Sequence, residues 1–322
     1  MADAAGNAEL GADRYPALTV CMNRRLALKW LLAVPARCGL GQTADSAEHL
    51  EVGGAMIDVL LESGPFEIGQ AALSDWVTTC ARAVSAYFGR FPVAHARVRI
   101  VPSPHGSIAG ASSFGDGGAH CRILVGKQVT QGELSSDWKL TRELVHFGFP
   151  SVEDRHRWIE EGSATYIEPI ARAMIGELTA ERVWGDMVRD IPQGLPLAGD
   201  RGLNLTHTWG RTYWGGALFC LLADIEIRKR TANGKGFQDA LRAVNRAGGT
   251  IEVDWRLERV IEIGDKATGG ADISDLYRQM ALKPVMVDLS DLWKQLGVHR
   301  SGNTVAFDNQ APLAAIRASI AG

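Results

Sequence analysis

Along residues 50–126 the hydrophobic positions change period several times. The run LEVGGAMIDVLL at 50–61 predicts one strand, with Gly53 and Gly54 as its weak points. Over 67–88, Ile68, Ala72, Trp76, Ala83 and Phe88 recur at near-helical spacing, which predicts a single long helix. Three short strands follow at 95–101, about 107–113 and 119–125, the last with alternating faces; Gly and Pro punctuate the gaps. From residue 135 the period turns helical. Ser136 is a candidate cap for a helix that ends near Phe147 and is stopped by Gly148 and Pro150. A second helix is expected from about Asp154 to Met174, and amphipathic helices at 178–189, 211–230, 236–246, 273–281 and 289–296. No internal repeat interrupts this order. The pattern predicts an α+β chain: a mixed sheet with one long helix, two adjacent helices, then an all-helical half.

Composition narrows the classes. Of 322 residues, 46% are hydrophobic and 22% charged, enough apolar surface to offset the chain entropy lost on folding. Thirty-four basic against 37 acidic side chains leave a net charge of −3, without the excess of cations that a nucleic-acid face requires. No apolar run reaches the roughly 18 residues of a membrane span. Five scattered cysteines with no CxxC pair argue against a zinc ribbon or a disulfide framework; Cys80 and Cys220 read as small core residues.

Two readings fit the N-terminus. From Met22 the chain reads MNRRLALKWLLAVPA, with Arg24 and Arg25 before a short apolar stretch and then Val34-Pro35-Ala36. This is similar to a secretory signal of twin-arginine type and places the protein in the periplasm or outside the cell. Lys29 and Arg37 crowd the apolar part; the alternative is a leader on a cytoplasmic protein. The expected division is a leader at 1–45, an α+β lobe at 46–175 and a helical lobe at 176–322.

The chemistry concentrates in Thr141-Arg142-Glu143-Leu144-Val145-His146 and Trp158-Ile159-Glu160-Glu161-Gly162. On a helix, positions 142 and 146 share a face, with Glu143 beside them. A zinc peptidase uses two histidines at i and i+4 and an adjacent glutamate that deprotonates the zinc-bound water. A third ligand comes from a following helix, here Glu161, after 14 intervening residues.

These segments resemble the glutamate-ligand zincins, in particular the glycyl aminopeptidase type and bacterial peptidase-like proteins similar to it. The family pattern is HExxH followed by WxxEGxAxY; this chain has RELVH, then WIEEGSATY ending at Tyr166. A later segment from Gly210 through Tyr213 to Asp224 and Arg228 is similar to the family's tyrosine helix. The resemblance covers roughly residues 50–300. It implies a zincin-like lobe, with a mixed sheet and the HExxH-type helix, packed on a helical lobe. It also implies a zinc cofactor and a peptide or protein ligand in the cleft between the lobes. Glu143 would be the general base, Tyr213 the donor to the tetrahedral intermediate, and His146 and Glu161 metal ligands.

One position departs from the pattern. Arg142 stands where the family has its first histidine, and a guanidinium offers donors but no lone pair for a metal. Two ligands remain where a zinc site normally has three protein ligands and a water. The expectation is that Arg142 places its cation where zinc would sit and bridges Glu143 and Glu161.

Every other candidate carries a plainer reading. His156, five residues before Glu161, points off that residue's face; His105 and His120 fall in the strand region; His49, His95, His207 and His299 have no supporting spacing. Trp158, Trp209 and Trp214 read as core. Gly110-Ala-Ser-Ser113 reads as a turn, or as an edge that pairs with a peptide backbone. Asp224 and Arg228 read as a helical ion pair. Gly248-Gly249 and Gly269-Gly270 lack the context of phosphate loops. Three functions stay open: an inactive zincin scaffold that binds or regulates, an active zinc peptidase with a non-standard ligand set, and an envelope-associated structural protein.

Overall fold

Residues 50–61 do not run as one strand. In the computed structural model, which describes residues 47–62, 66–104 and 107–322, they turn back on themselves. Strand β1 (Glu48–Val52) pairs antiparallel with β2 (Ala55–Leu61) through Gly53 and Gly54, at φ 58° and 79°. Both angles lie in the left-handed region that side chains avoid, so the two glycines that weakened the strand are what the hairpin requires. Helix α1 (Gln70–Phe88) follows and ends on Gly89, also left-handed.

Strands β3 (His95–Ser103), β4 (Ile108–Phe114) and β5 (His120–Gly126) complete a sheet in the order β1-β2-β3-β5-β4. β2, β3 and β5 run parallel; β1 and β4 are antiparallel edges. The sheet has one closed face, where Ile57, Val59, Val98, Ile100, Cys121 and Ile123 have no exposed surface. The opposite face carries exposed Met56, His95 and Arg122.

Ser136 closes a helix rather than opening one. Thr130 caps α2 (Gln131–Ser136), and Glu133 reaches back to the Thr130 N–H at 2.8 Å, a capping box three residues long that outcompetes the later serine. Asp137 is extended and takes the Leu140 N–H at 3.0 Å, so a separate short helix, α3 (Lys139–Val145), starts there. It tightens into a 3₁₀ turn at His146–Gly148. A second 3₁₀ turn (Asp154–His156) leads into α4 (Arg157–Met174), buried at every position from Trp158 to Arg172.

The second half holds α5 (Ala180–Asp190), a π-helical turn (Arg211–Gly215) running into α6 (Gly216–Arg230), α7 (Phe237–Arg246), α8 (Leu257–Thr268), α9 (Asp272–Met280) and α10 (Leu289–Leu296). It is not all-helical. Strands β6 (Val298–Ser301) and β7 (Thr304–Phe307) form a hairpin before α11 (Ala314–Ile320). Helix α8, this hairpin and α11 lie outside the elements expected from the sequence. Cys80 and Cys220 are buried core residues, as is Cys121.

Among the described residues no helix is long and apolar enough to cross a membrane. The leader at 1–45 with its signal-like segment, Cys21, Cys38 and His105 lie outside the described residues.

Candidate functional site

Helix α4 is the floor of the site, and glycine brings the next layer onto it. A Cβ on Gly162 would stand 2.3 Å from the Gly216 Cα, and one on Gly216 would stand 2.0 Å from the Trp158 carbonyl oxygen. The backbones of α4 and α6 therefore touch where the glutamate motif meets the end of the π turn. That turn, a rare conformation often found at functional sites, carries Tyr213.

Six side chains from four elements, two of them on α4 itself, converge here. Arg142, on α3, donates from Nη1 to Oε1 of Glu143 at 3.1 Å and from Nη2 to Oε2 of Glu161. His146 holds Nε2 3.6 Å from the same Oε2, so positions 142 and 146 meet at one oxygen even though His146 has passed into the 3₁₀ turn. Arg157, one turn before Glu161 on α4, donates from Nε to Oε1 at 3.3 Å. Ser113, on the edge strand β4, donates from Oγ to Oε2 of Glu143 at 2.7 Å. Arg142 thus forms the expected bridge between Glu143 and Glu161.

The cluster is buried and charge-balanced. The Arg142, Glu143 and Glu161 side chains are 8%, 10% and 5% exposed. Two guanidiniums face two carboxylates, each of which accepts from at least two donors, so buried charge is met by directional hydrogen bonds. On the remaining side, the ring of Tyr213 lies against Arg142, its centroid 5.1 Å from Cζ, a cation–π contact. Trp209 stacks on Tyr213 at 5.8 Å and is only half-buried, outside the core; Trp158 and Trp214 are core.

The neighbouring motif residues have other work. Glu160 accepts the Val152 N–H at 2.7 Å and holds the loop before α4. Tyr166 donates to Asp224 at 2.8 Å, and Asp224 also accepts from Arg228 at 2.7 Å and from the Phe237 N–H, so the 224–228 ion pair forms. Burial, and then the Asp224 charge, push the Tyr166 hydroxyl well above its ordinary pKa. His156 is engaged with Asn204 and Arg155. His120 stacks on Phe114 and bonds the Gly118 carbonyl. His49 and His95 share Asp58 on the sheet. None of these five histidine and tyrosine side chains is seen in contact with the cluster. Arg157 was missed by sequence reasoning, and Ser113 was singled out there only within a turn or peptide-pairing edge, not as a partner of Glu143. The i, i+4 spacing of Arg157 and Glu161 was the available signal for one; nothing local marked the other.

These residues do not fit a resident zinc ion. His146 and Glu161 supply two ligating side chains, and a permanently protonated guanidinium lies on the Glu161 oxygen that a metal would take. Among the described residues no group of three His, Cys, Asp or Glu side chains is arranged to hold a metal.

No protein-family model matches the sequence, and no curated protein matches it. Solved structures do. The chain is similar to an aminopeptidase N family protein from Idiomarina loihiensis, with a TM-score of 0.59 and 15% identity over 79% of this chain and 49% of that one. It is also similar to an M1 zinc metallopeptidase from Deinococcus radiodurans, with a TM-score of 0.50 and 17% identity over 76% of this chain and 52% of the other. A two-domain M1 zinc metallopeptidase mutant bound to L-arginine matches at a TM-score of 0.50 and 16% identity, over 76% and 52%. The chain thus spans about half the length of these proteins. At such identities the likeness shows the fold alone: an α+β, zincin-like fold of the kind found in M1 metallopeptidases.

Proposed function

We propose that this chain is a metallopeptidase-like protein of the glutamate-zincin type whose zinc binding, and with it hydrolysis, is impaired or lost because Arg142 replaces a metal ligand. Its α+β lobe packs on the helical lobe, and a peptide or protein segment occupies the cleft between them, along the β4 edge. The observation that carries this reading is the Arg142 guanidinium bridging Glu143 and Glu161. A cation already neutralises the carboxylates that would otherwise attract a metal, so the cavity keeps its shape without one. An export signal before residue 45 would place this binding function in the periplasm or outside the cell.

A second reading keeps catalysis. Glu143, His146, Glu161 and Tyr213 surround one point, which favours an active zinc peptidase with a non-standard ligand set, Glu143 as base and Tyr213 as oxyanion donor.

Metal content decides between them. Elemental mass spectrometry of the purified full chain should find no zinc in the parent and near-stoichiometric zinc in Arg142→His. Near-stoichiometric zinc in the parent would overturn the first reading in favour of the second. No zinc in either protein would remove the zincin assignment of the cavity itself.

A further inference from the structure

A cavity between α5 and the β6–β7 hairpin uses none of the elements that build the Arg142 cluster. Its volume is about 110 Å³, and three of its lining residues are arginines: Arg182 and Arg189 from α5, and Arg300 from β6. Residues 182 and 189 are seven apart, two helical turns, and so share a face. Asp186 lies between them, its side chain 6% exposed. It accepts from Arg182 Nε at 2.9 Å and from Arg189 Nη1 at 2.7 Å, one guanidinium on each oxygen. Arg189 also pairs with Asp190. With both oxygens taken, Asp186 spaces two cations rather than offering a ligand.

Arg300 faces them from the hairpin. It makes no ion pair among the described residues, and Glu181 is the remaining acid on the wall. With Asp190 counted, three guanidiniums meet three carboxylates, but the buried Asp186 and Asp190 are engaged with Arg182 and Arg189, which leaves Arg300 as the guanidinium on this wall outside any ion pair among the described residues. Asn303, at the hairpin turn, adds a neutral polar group. Such a wall favours a small anion with several acceptor oxygens, because guanidinium forks match tetrahedral oxyanions.

We propose that this cavity is a binding site for a phosphoryl group, with Arg300 as the principal contact and Arg182 beside it. Isothermal titration calorimetry on the full chain tests it, with inorganic phosphate, a phosphoserine peptide and its unphosphorylated counterpart at constant ionic strength. Phosphate should bind saturably, and Arg300→Gln should weaken it about tenfold, the loss expected for one charge-assisted contact. Arg256→Gln, at a 79% exposed side chain elsewhere, should leave binding unchanged. Arg300 is exposed, so Arg300→Gln should melt with the parent, and Arg182→Gln provides an independent second variant. Tighter binding of the phosphopeptide than of phosphate would mark a phosphorylated partner as the source; equal affinity would mark free phosphate. The proposal is overturned if neither phosphorylated probe binds saturably, if the unphosphorylated peptide binds as well, or if both arginine variants bind like the parent.

Discussion

Arg142 Nη2 donates to Oε2 of Glu161, the oxygen that also lies 3.6 Å from His146 Nε2. A side chain of α3 is thereby tied to a side chain of α4, 19 residues later, inside a cluster closed to solvent. In this geometry the arginine counters the charge of two buried carboxylates.

Truncating Arg142 should accordingly be costly. Arg142→Ala leaves Glu143 and Glu161 without their shared cation, and breaking a buried pair costs about 3–5 kcal/mol. Urea unfolding should show that loss. Adding Glu143→Gln to Arg142→Met should recover most of it, because Glu161 keeps Arg157 as its counter-cation at 3.3 Å and the double variant buries no unmatched carboxylate. A single variant with the parent's midpoint would remove Arg142 from any structural role.

The glycine contacts make opposite predictions at two helical positions. Gly216→Ala drives a Cβ to 2.0 Å from the Trp158 carbonyl oxygen, so α4 and α6 must part, at a cost of about 1–3 kcal/mol. Gly185→Ala, inside α5, meets nothing nearer than a Val305 methyl at 4.0 Å. It should stabilise by about 0.5–1 kcal/mol through helix propensity. Thermal denaturation of the two variants should move in opposite directions; a tolerated Gly216→Ala would refute the tight crossing.

His156 should make stability fall in acid. Arg155 Nε donates to its Nε2 at 3.0 Å, which fixes the neutral ring with Nδ1–H directed at Asn204 Oδ1. Burial, and then the Arg155 charge, hold its pKa below the ordinary 6.5. The unfolded chain then binds the proton more readily than the native state, so stability rises with pH through this window and is lost as pH falls below about 6.5. His156→Gln should remove that part of the slope in denaturant midpoints measured between pH 7 and 5. An identical slope in the variant would assign it to other groups.

The three described cysteines should be inert in the native protein. Burial pushes the thiols of Cys80, Cys121 and Cys220 well above their usual range. Iodoacetamide at pH 8 should label none of them until denaturant is added, as read by peptide mass spectrometry. Native-state labelling at any of the three would contradict the packing described.

Much of this organisation was legible in the chain. The helix expected over 67–88, the strands near 95–101, 107–113 and 119–125 and most later helices followed from apolar period and the Gly and Pro breaks, because burial of one face dictates the spacing of apolar residues whatever the partner. Arg142 beside Glu143 and one turn before His146 was visible as well, and the chemistry of a guanidinium sufficed to predict a carboxylate bridge. Local competition was harder to read. Ser136 lost its cap role to Thr130 because Glu133 completes the box, and Gly53-Gly54 made a hairpin because two successive left-handed residues turn the chain.

What the sequence determined by itself was therefore most of the periodic elements and the acid–base character of Arg142 and the residues around it. Only the tertiary structure decided that Ser113 from a sheet edge reaches Glu143, that Trp209 covers Tyr213, and that Tyr213 lies on Arg142. These contacts join residues from 4 to 71 positions apart in the chain. The longest of them depends on the Gly162–Gly216 crossing, which sets the distance between backbones in space and leaves no periodic trace along the sequence.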